Sequence, residues 1–458
     1  MSLPPGPRSP APLQMYQWIA RPIPFLTSVS RRYGDFFTLR FVFGPIVFIA
    51  DPQTIKQVFR GDPDIFHAGE ANATPLEPLM GRNSVLLLDG PEHMRQRKLM
   101  LPSFHGERMQ GYGPLMGEIA EREIARWPVG QPFGLRPRTQ AITLEVIMRT
   151  VFGIRDAERL RRLGERLAAM LDIGMHSRAL AAIAIPPVRR TIGRRIWSRF
   201  LRLRAAADAE IYDEIARRRG AADIAERDDV LSILLQAHDE DGRPMTDEEL
   251  RDELMTLLVA GHETTATSLA WAFDLLLRHP AELERLQAEI EAANGTEYLD
   301  AVIKETLRIR PVVPGVVRVL KAPVELNGFE LPAGARVAPN IYLTHRRPDV
   351  YPEPERFRPE RFLGDDAPDT YSWIPFGGGI RRCLGASFAM YEMQIVIPAI
   401  LRAVRLRAAA AEPERIRRRA VTFVPEHDGR VVVEGPAYSS RTAAGMANAN
   451  IRSASIRA

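Results

Sequence analysis

The chain has 458 residues, 45% of them hydrophobic and 26% charged, with a formal net charge of +5 and a single cysteine, Cys383. One sulfur excludes an intrachain disulfide and a cysteine-rich zinc cluster, while the composition provides ample material for a core. The basic residues are nearly all arginine (only Lys56, Lys98, Lys304 and Lys321 are lysines), and none cluster with stacking aromatics, so no nucleic-acid partner is expected.

Residues 1–13 are proline-rich and are read as an N-terminal segment outside the domain. No apolar run of about 20 residues follows, so neither a signal peptide nor a membrane span is expected, and a cytoplasmic location is. The stretch FFTLRFVFGPIVFIA, 36–50, reads as a small sheet. In GPEHMRQRKLM, His93 and Arg97 stand four apart and share one side of a helix; a solvated basic face is the ordinary reading of such spacing. Arg95 and Lys98 point elsewhere and suit a basic docking surface.

The clearest helix runs from about Thr246 to His279. Thr246 and Glu249 form a capping box, Pro280 marks the stop, and a helix of this length is roughly 50 Å long. Its centre is apolar all round except for GHETTATS, which places that polar cluster in the interior. Gly261 leaves space beside a flat ligand, and a threonine hydroxyl here bonds back to a carbonyl. Farther on, Glu305 and Arg308 stand three apart on one helix face, a pairing worth little on a surface. From Val316 short strands take over: VVRVL, VELNGFEL with its Asn327-Gly328 turn signal, and ARVAPNIYL. A second strand set is expected at 420–435. Residues 437–458 are small and polar without periodicity and read as a disordered tail.

The remaining stretch is IPFGGGIRRCLGASFAMYEMQ, residues 374–394. A lone cysteine is most often a small buried hydrophobe. Here it stands in the spacing Phe376-x-x-Gly379-x-Arg381-x-Cys383-x-Gly385, between a glycine-rich loop and a helix expected to start at the sulfur. Glycines permit the tight backbone that a metal-bound thiolate needs, the helix dipole favours the anion, and Arg381 is expected to pair with a carboxylate along the same loop. A phosphate loop is the rival, but the lysine of GxxxxGK[ST] is absent.

With these motifs together, over residues 14–435, the chain resembles the cytochrome P-450 superfamily of haem-thiolate monooxygenases. The resemblance implies a single, mainly α domain with small β-sheets over 14–436, holding haem b with Cys383 as its axial ligand. It implies that His93, Arg97, Arg318 and Arg381 hold the propionates, with Phe376, Gly377, Gly385, Ala260 and Gly261 beside the haem. Glu305, Arg308 and Arg361 would form a structural network bracing the loop, with Arg356 a decoy. Thr264 would serve oxygen activation and Glu263 proton delivery; His262 is left structural or substrate-adjacent.

The implied reaction inserts one atom of O2 into an apolar substrate of the fatty-acid, alkane or terpenoid kind. Electrons would come from NAD(P)H through a separate ferredoxin or flavodoxin-type donor and its reductase, to a monomeric enzyme. Expected pocket walls are 68–84, 170–187, Val259, Ala260, Val313, Val316 and 422–424, with Arg178 the one candidate cation. A peroxide-dependent peroxygenase and a non-enzymatic haem sensor are the alternatives; the Glu263-Thr264 pair argues against the first, and no signalling domain is visible for the second.

Overall fold

The computed structural model describes residues 3–104, 106–175, 191, 193–293, 295–364 and 368–437. Helices build most of it. The longest among the described residues, Asp247–Leu276, runs 30 residues through the main core, burying Leu254, Leu258, Leu269, Trp271 and Phe273. Thr246 starts it as the sequence anticipates: its Oγ1 accepts the Glu249 N–H (3.1 Å), and Glu249 Oε2 accepts the Thr246 N–H (2.8 Å). The helix Leu135–Thr150 lies along it, and Ala386–Ala403 packs on it as well.

Beside the helical core a five-stranded sheet takes the order Phe36–Phe41, Gly44–Ile49, Arg336–Pro339, Arg318–Leu320, Phe66–His67. The hairpin Val324–Leu326 with Phe329–Leu331 turns at Asn327 and Gly328, both with positive φ (48° and 75°), the mirror-image turn that matches strand twist. The expected strand over ARVAPNIYL stops halfway. Pro339 supplies no ladder N–H, and Asn340 Oδ1 accepts the Leu343 N–H (2.9 Å), capping a short helix, Ile341–Thr344. In the region 420–435, Thr422–Pro425 pairs with Ile416–Arg419, whereas Arg430–Pro436 lies between Pro132–Gly134 and Val404–Ala408.

The proline-rich start is part of the domain, against the boundary drawn at residue 13. That boundary falls inside a helix, Ala11–Ala20, and the segment before it lies along the first strand. Thr38 donates its N–H to Pro5 O (3.0 Å) and its hydroxyl to Pro4 O (2.7 Å), while Gln14 Nε2 donates to Pro7 O (3.1 Å). Proline cannot donate to a ladder but its carbonyl still accepts, which suits an edge. Of the expected tail only Ala437 is described. Arg178 and most of 170–187 also lie outside the described residues. No described helix is long and apolar enough to cross a membrane.

Replacing Thr246 with Ala removes the cap of the central helix and is expected to cost about 1 kcal/mol of unfolding free energy. Urea denaturation of the wild type and variant checks this; superimposable curves would contradict it.

Candidate active site

The Cys383 loop is closed on itself and against a neighbouring helix. Cys383 N–H donates to Phe376 O (2.9 Å), joining the two ends of the motif. Gly379 has φ +64°, and a Cβ there would stand 1.9 Å from Phe59 O, at the end of the helix Pro52–Arg60, so only glycine fits. Gly377 also has positive φ (67°). Gly385 has an ordinary φ and no protein atom within 4 Å of its absent Cβ, so the protein itself does not require glycine there. The following helix begins at Ala386, three residues past the position expected, leaving Cys383 just ahead of its positive end.

Cys383 is enclosed by protein, and that burial pushes its thiol pKa up, opposed by the Gly385 N–H, Arg97 and Arg382. The residue nonetheless retains accessible surface. Both hold when the side chain faces an internal space. Surface is also retained at Ala260, which is exposed, at Thr264, half-buried on the same largely buried helix, and at Val313 and Val316, half-buried in the irregular segment 311–317. A space between the central helix and the loop accounts for all five.

Four cationic or donor side chains converge at one side of the loop, three of them brought from other segments. His93 is buried with Nδ1 unpartnered and is held neutral, its pKa pulled down to about 4 by burial, then by Arg381 and Arg97. Burial brings Arg318 down to about 10, with Arg381 adding to the effect, and Arg381 also falls to about 10. Arg97 is lowered by burial too and has no ion pair among the described residues. The one carboxylate among them is Asp89, 2.5 Å from Arg381. It comes from a different segment, correcting the expectation that Arg381 pairs along its own loop. Asp89 also accepts the N–H groups of Ala68, Gly69 and Glu70 (2.8–2.9 Å), capping the helix Gly69–Met80. Three guanidinium groups against one carboxylate leave about two positive charges to be answered, which fits a ligand bearing two carboxylates.

On the central helix Thr264 Oγ1 donates to Ala260 O (2.6 Å), the back-bond expected. Glu263 is turned away from it. Its carboxylate pairs with Arg136 (3.0 Å) and accepts from Gln140, and Arg136 continues to Asp428 (2.7 Å). His262 is buried beside Thr143 (3.2 Å) and held neutral, pulled down to about 4 by burial. The space at Gly261 is not left for a ligand: a Cβ would lie 2.8 Å from Ile147 Cδ1, so glycine there serves close helix packing. Of the two residues expected at a docking surface, Arg95 is bound to Asp239 (2.6 Å) and Glu249 (2.7 Å), while Lys98 stays exposed in a surface pair with Glu240 (2.6 Å).

Comparison with known proteins adds the decisive observation. The cytochrome P450 family model matches residues 4–430. A Mycobacterium tuberculosis protein named cytochrome P450 135B1 is 47% identical over 448 residues, covering 96% of this chain and 93% of its own. Another from that organism, cytochrome P450 137, is 40% identical, covering 88% and 83%. The chain belongs to the cytochrome P450 family. Among solved structures, the retinoic acid-bound cyanobacterial CYP120A1 superposes with a TM-score of 0.82 at 27% identity, over 95% of this chain and all of that one. As a P450, the protein is a haem monooxygenase, an oxidoreductase of a family whose iron is held by a cysteine thiolate.

Under the loop of this P450 lies the charge network. Glu305 and Arg308 are fully buried and doubly bonded (2.6 and 2.8 Å). Arg308 also donates to His345 O and Pro354 O (both 2.8 Å), and Glu305 accepts the Arg358 N–H (2.8 Å). Arg361 is more peripheral, its Nε 3.4 Å from Glu305 without a hydrogen bond, while Nη2 donates to Glu353 O (2.9 Å). Arg356 pairs with Glu353 at the surface (3.5 Å). The sequence reading missed Asp89, Arg136 and His345. His345, which burial keeps neutral, accepts the Ile374 N–H through Nε2 (2.9 Å) and so ties the network to the loop. Each is a long-range partner with no local signal; a solitary acid before a helix, as in LLLDG, is the nearest hint.

Arg308→Ala leaves the Glu305 carboxylate buried and is expected to cost about 3–5 kcal/mol, yielding mostly haem-free protein. Arg361→Ala is expected to be milder, because its ion pair is longer and unsupported. Haem content per chain and the melting midpoint of the two variants check the order; equal losses would contradict it.

Proposed function

We propose that this P450 inserts one atom of O2 into an apolar small molecule of the fatty-acid, alkane or terpenoid kind, using haem b whose iron Cys383 would hold. His93, Arg97, Arg318 and Arg381 would hold the two haem carboxylates. Phe376, Gly377, Gly385, Ala260 and the backbone at Gly261 would flank the ring. The observation that carries this reading is the pairing of an unanswered buried positive charge with an internally exposed cysteine opposite an apolar, half-exposed helix face. When bound, the haem supplies the oxygen-activating chemistry, which a thiolate ligand favours.

The side chains retaining surface around that space, Ala260, Val313 and Val316, carry no charge that would fix a polar substrate. The cyanobacterial relative's retinoic acid, a terpenoid-like molecule, agrees with an apolar substrate. Thr264 stands at the edge of the same space, and its hydroxyl would hold a water that passes on a proton. Glu263 would have to leave Arg136 before it could deliver one, so Thr264 is the nearer participant. Ile380 and Arg382, both exposed beside Cys383, offer a mixed apolar and cationic surface to an acidic ferredoxin or flavodoxin-type donor. That donor, reduced by NAD(P)H through its own reductase, would serve a monomeric enzyme in the cytoplasm.

Thr264→Ala is expected to keep haem, substrate binding and electron uptake while diverting reducing equivalents to hydrogen peroxide. Product per NAD(P)H should fall steeply, since a positioned proton donor contributes about 10²–10⁴-fold. The assay measures product and peroxide per NAD(P)H with surrogate donors, beside turnover on peroxide alone. A variant as tightly coupled as the wild type would remove Thr264 from the proton route. Wild-type turnover equally fast on peroxide alone would favour a peroxygenase.

A further inference from the structure

Asp89 has more partners than an ordinary ion pair provides. Its Oδ1 lies 2.5 Å from Arg381 Nη2 and also accepts the N–H groups of Ala68 and Gly69. Its Oδ2 accepts the Glu70 N–H and lies 3.5 Å from His67 Nδ1. His67 pairs across the sheet with Val319, the neighbour of Arg318. Asp89 is also the residue at which the helix Gly90–Met100 begins, and that helix carries His93 and Arg97. All four side chains proposed to hold the haem carboxylates therefore meet this residue or lead back to it.

The Asp89–Arg381 pair is fixed from both ends. Asp89 retains 14% of its side-chain surface and Arg381 12%, so solvent and salt screen the pair poorly. The start of the helix Gly69–Met80 is pressed on the segment before Asp89: a Cβ on Gly69 would stand 2.3 Å from Leu87 O and 2.6 Å from Leu88 O. Leu88 O and Val85 O also accept from Arg381 (2.5 and 3.2 Å). Arg381 thus has two main-chain acceptors besides Asp89. Neutralising Asp89 removes a counter-ion and leaves the guanidinium held.

We propose that Asp89 is a positioning residue that acts through Arg381, fixing the net charge that faces the haem carboxylates and so holding the reduction potential of the haem down. With the Asp89 carboxylate in place, Arg97, Arg318 and Arg381 are answered in full by two haem carboxylates. Without it, one guanidinium stays unanswered beside a group that gains an electron on reduction, and the ferrous form is favoured. Loss of the Arg381 charge acts in the opposite direction. This role rests on the reading above that these side chains hold a haem.

The test is a dye-mediated spectroelectrochemical titration of the full-length holoprotein, with imidazole saturating the iron in every sample so that axial ligation is the same throughout. Asp89→Asn is expected to raise the midpoint potential, Arg381→Gln to lower it, and the double substitution to return it close to wild type. Each single step should be about tenfold in the ferrous-to-ferric ratio, or about 59 mV for a one-electron couple. Asp89→Glu, which keeps the charge, should stay closer to wild type than Asp89→Asn, and Asp89→Ser, a helix cap without charge, should follow Asp89→Asn. A residue that only holds the chain in place would shift every variant the same way, as water reaches the haem; that outcome would overturn the proposal, as would an Asp89→Asn potential equal to wild type. Uncharged variants that bind no haem while Asp89→Glu does would overturn it in favour of a purely structural charge. A wild type without haem would overturn the reading above together with this role, whereas a wild type with haem and an unresponsive potential overturns this role alone.

Discussion

The structure turns on an imbalance of buried charge. Arg97, Arg318 and Arg381 meet beside His93 with Asp89 as the one carboxylate among them, and burial lowers the pKa of all three arginines. Keeping cations out of water without partners costs several kcal/mol each. A fold that gathers them from three distant segments is stable only if something anionic completes the set. Two carboxylates on a flat macrocycle would answer that charge, and the same group would occupy the internal space onto which Cys383 opens.

Other parts of the molecule hold this arrangement in place. Arg381 reaches Val85 O (3.2 Å) and Leu88 O (2.5 Å) as well as Asp89, so its position depends on the segment 80–89. That segment is in turn clasped by the start of the central helix. Arg251 donates to Met80 O (2.9 Å), Asp252 accepts the Asn83 N–H (2.9 Å), Glu253 accepts the Val85 N–H (2.8 Å), and Thr256 donates to Ser84 Oγ (2.7 Å). One helix thus carries the back-bonded Thr264 at its centre and the support for Arg381 at its beginning. On the opposite side, Glu305, Arg308 and His345 fix the entry to the cysteine loop. Thr264 and Arg381 are therefore linked through one helix, main-chain hydrogen bonds and buried ions.

How much of this could be read from sequence follows the range of the interactions. The central helix and its cap, the Asn327-Gly328 turn and the Glu305–Arg308 pair were legible because each is written within a few residues. The spacing around Cys383 was legible as a loop, and the family resemblance gave it a cofactor. What sequence did not reveal was partnership. Nothing local says that Asp89 would meet Arg381, that Arg136 would hold Glu263, or that Glu249 would engage Arg95. The side of Gly261 was misread for a related reason: a glycine in a buried helix signals a close neighbour, and only the fold decides that the neighbour is Ile147. Proline at the start suggested a detached segment, although proline carbonyls can still line the edge of a sheet.

The central claim is that the cationic cluster and Cys383 serve one group, a haem held by this sulfur. The most direct measurement is the absorption spectrum of the reduced carbon-monoxide complex, recorded for the purified wild type and for Cys383→Ser at matched haem content. The red-shifted Soret band of thiolate ligation is expected in the wild type and is expected to be lost in the variant, even where haem is retained. A wild-type band like that of a histidine-ligated haem, or a thiolate band that survives in Cys383→Ser, would contradict it.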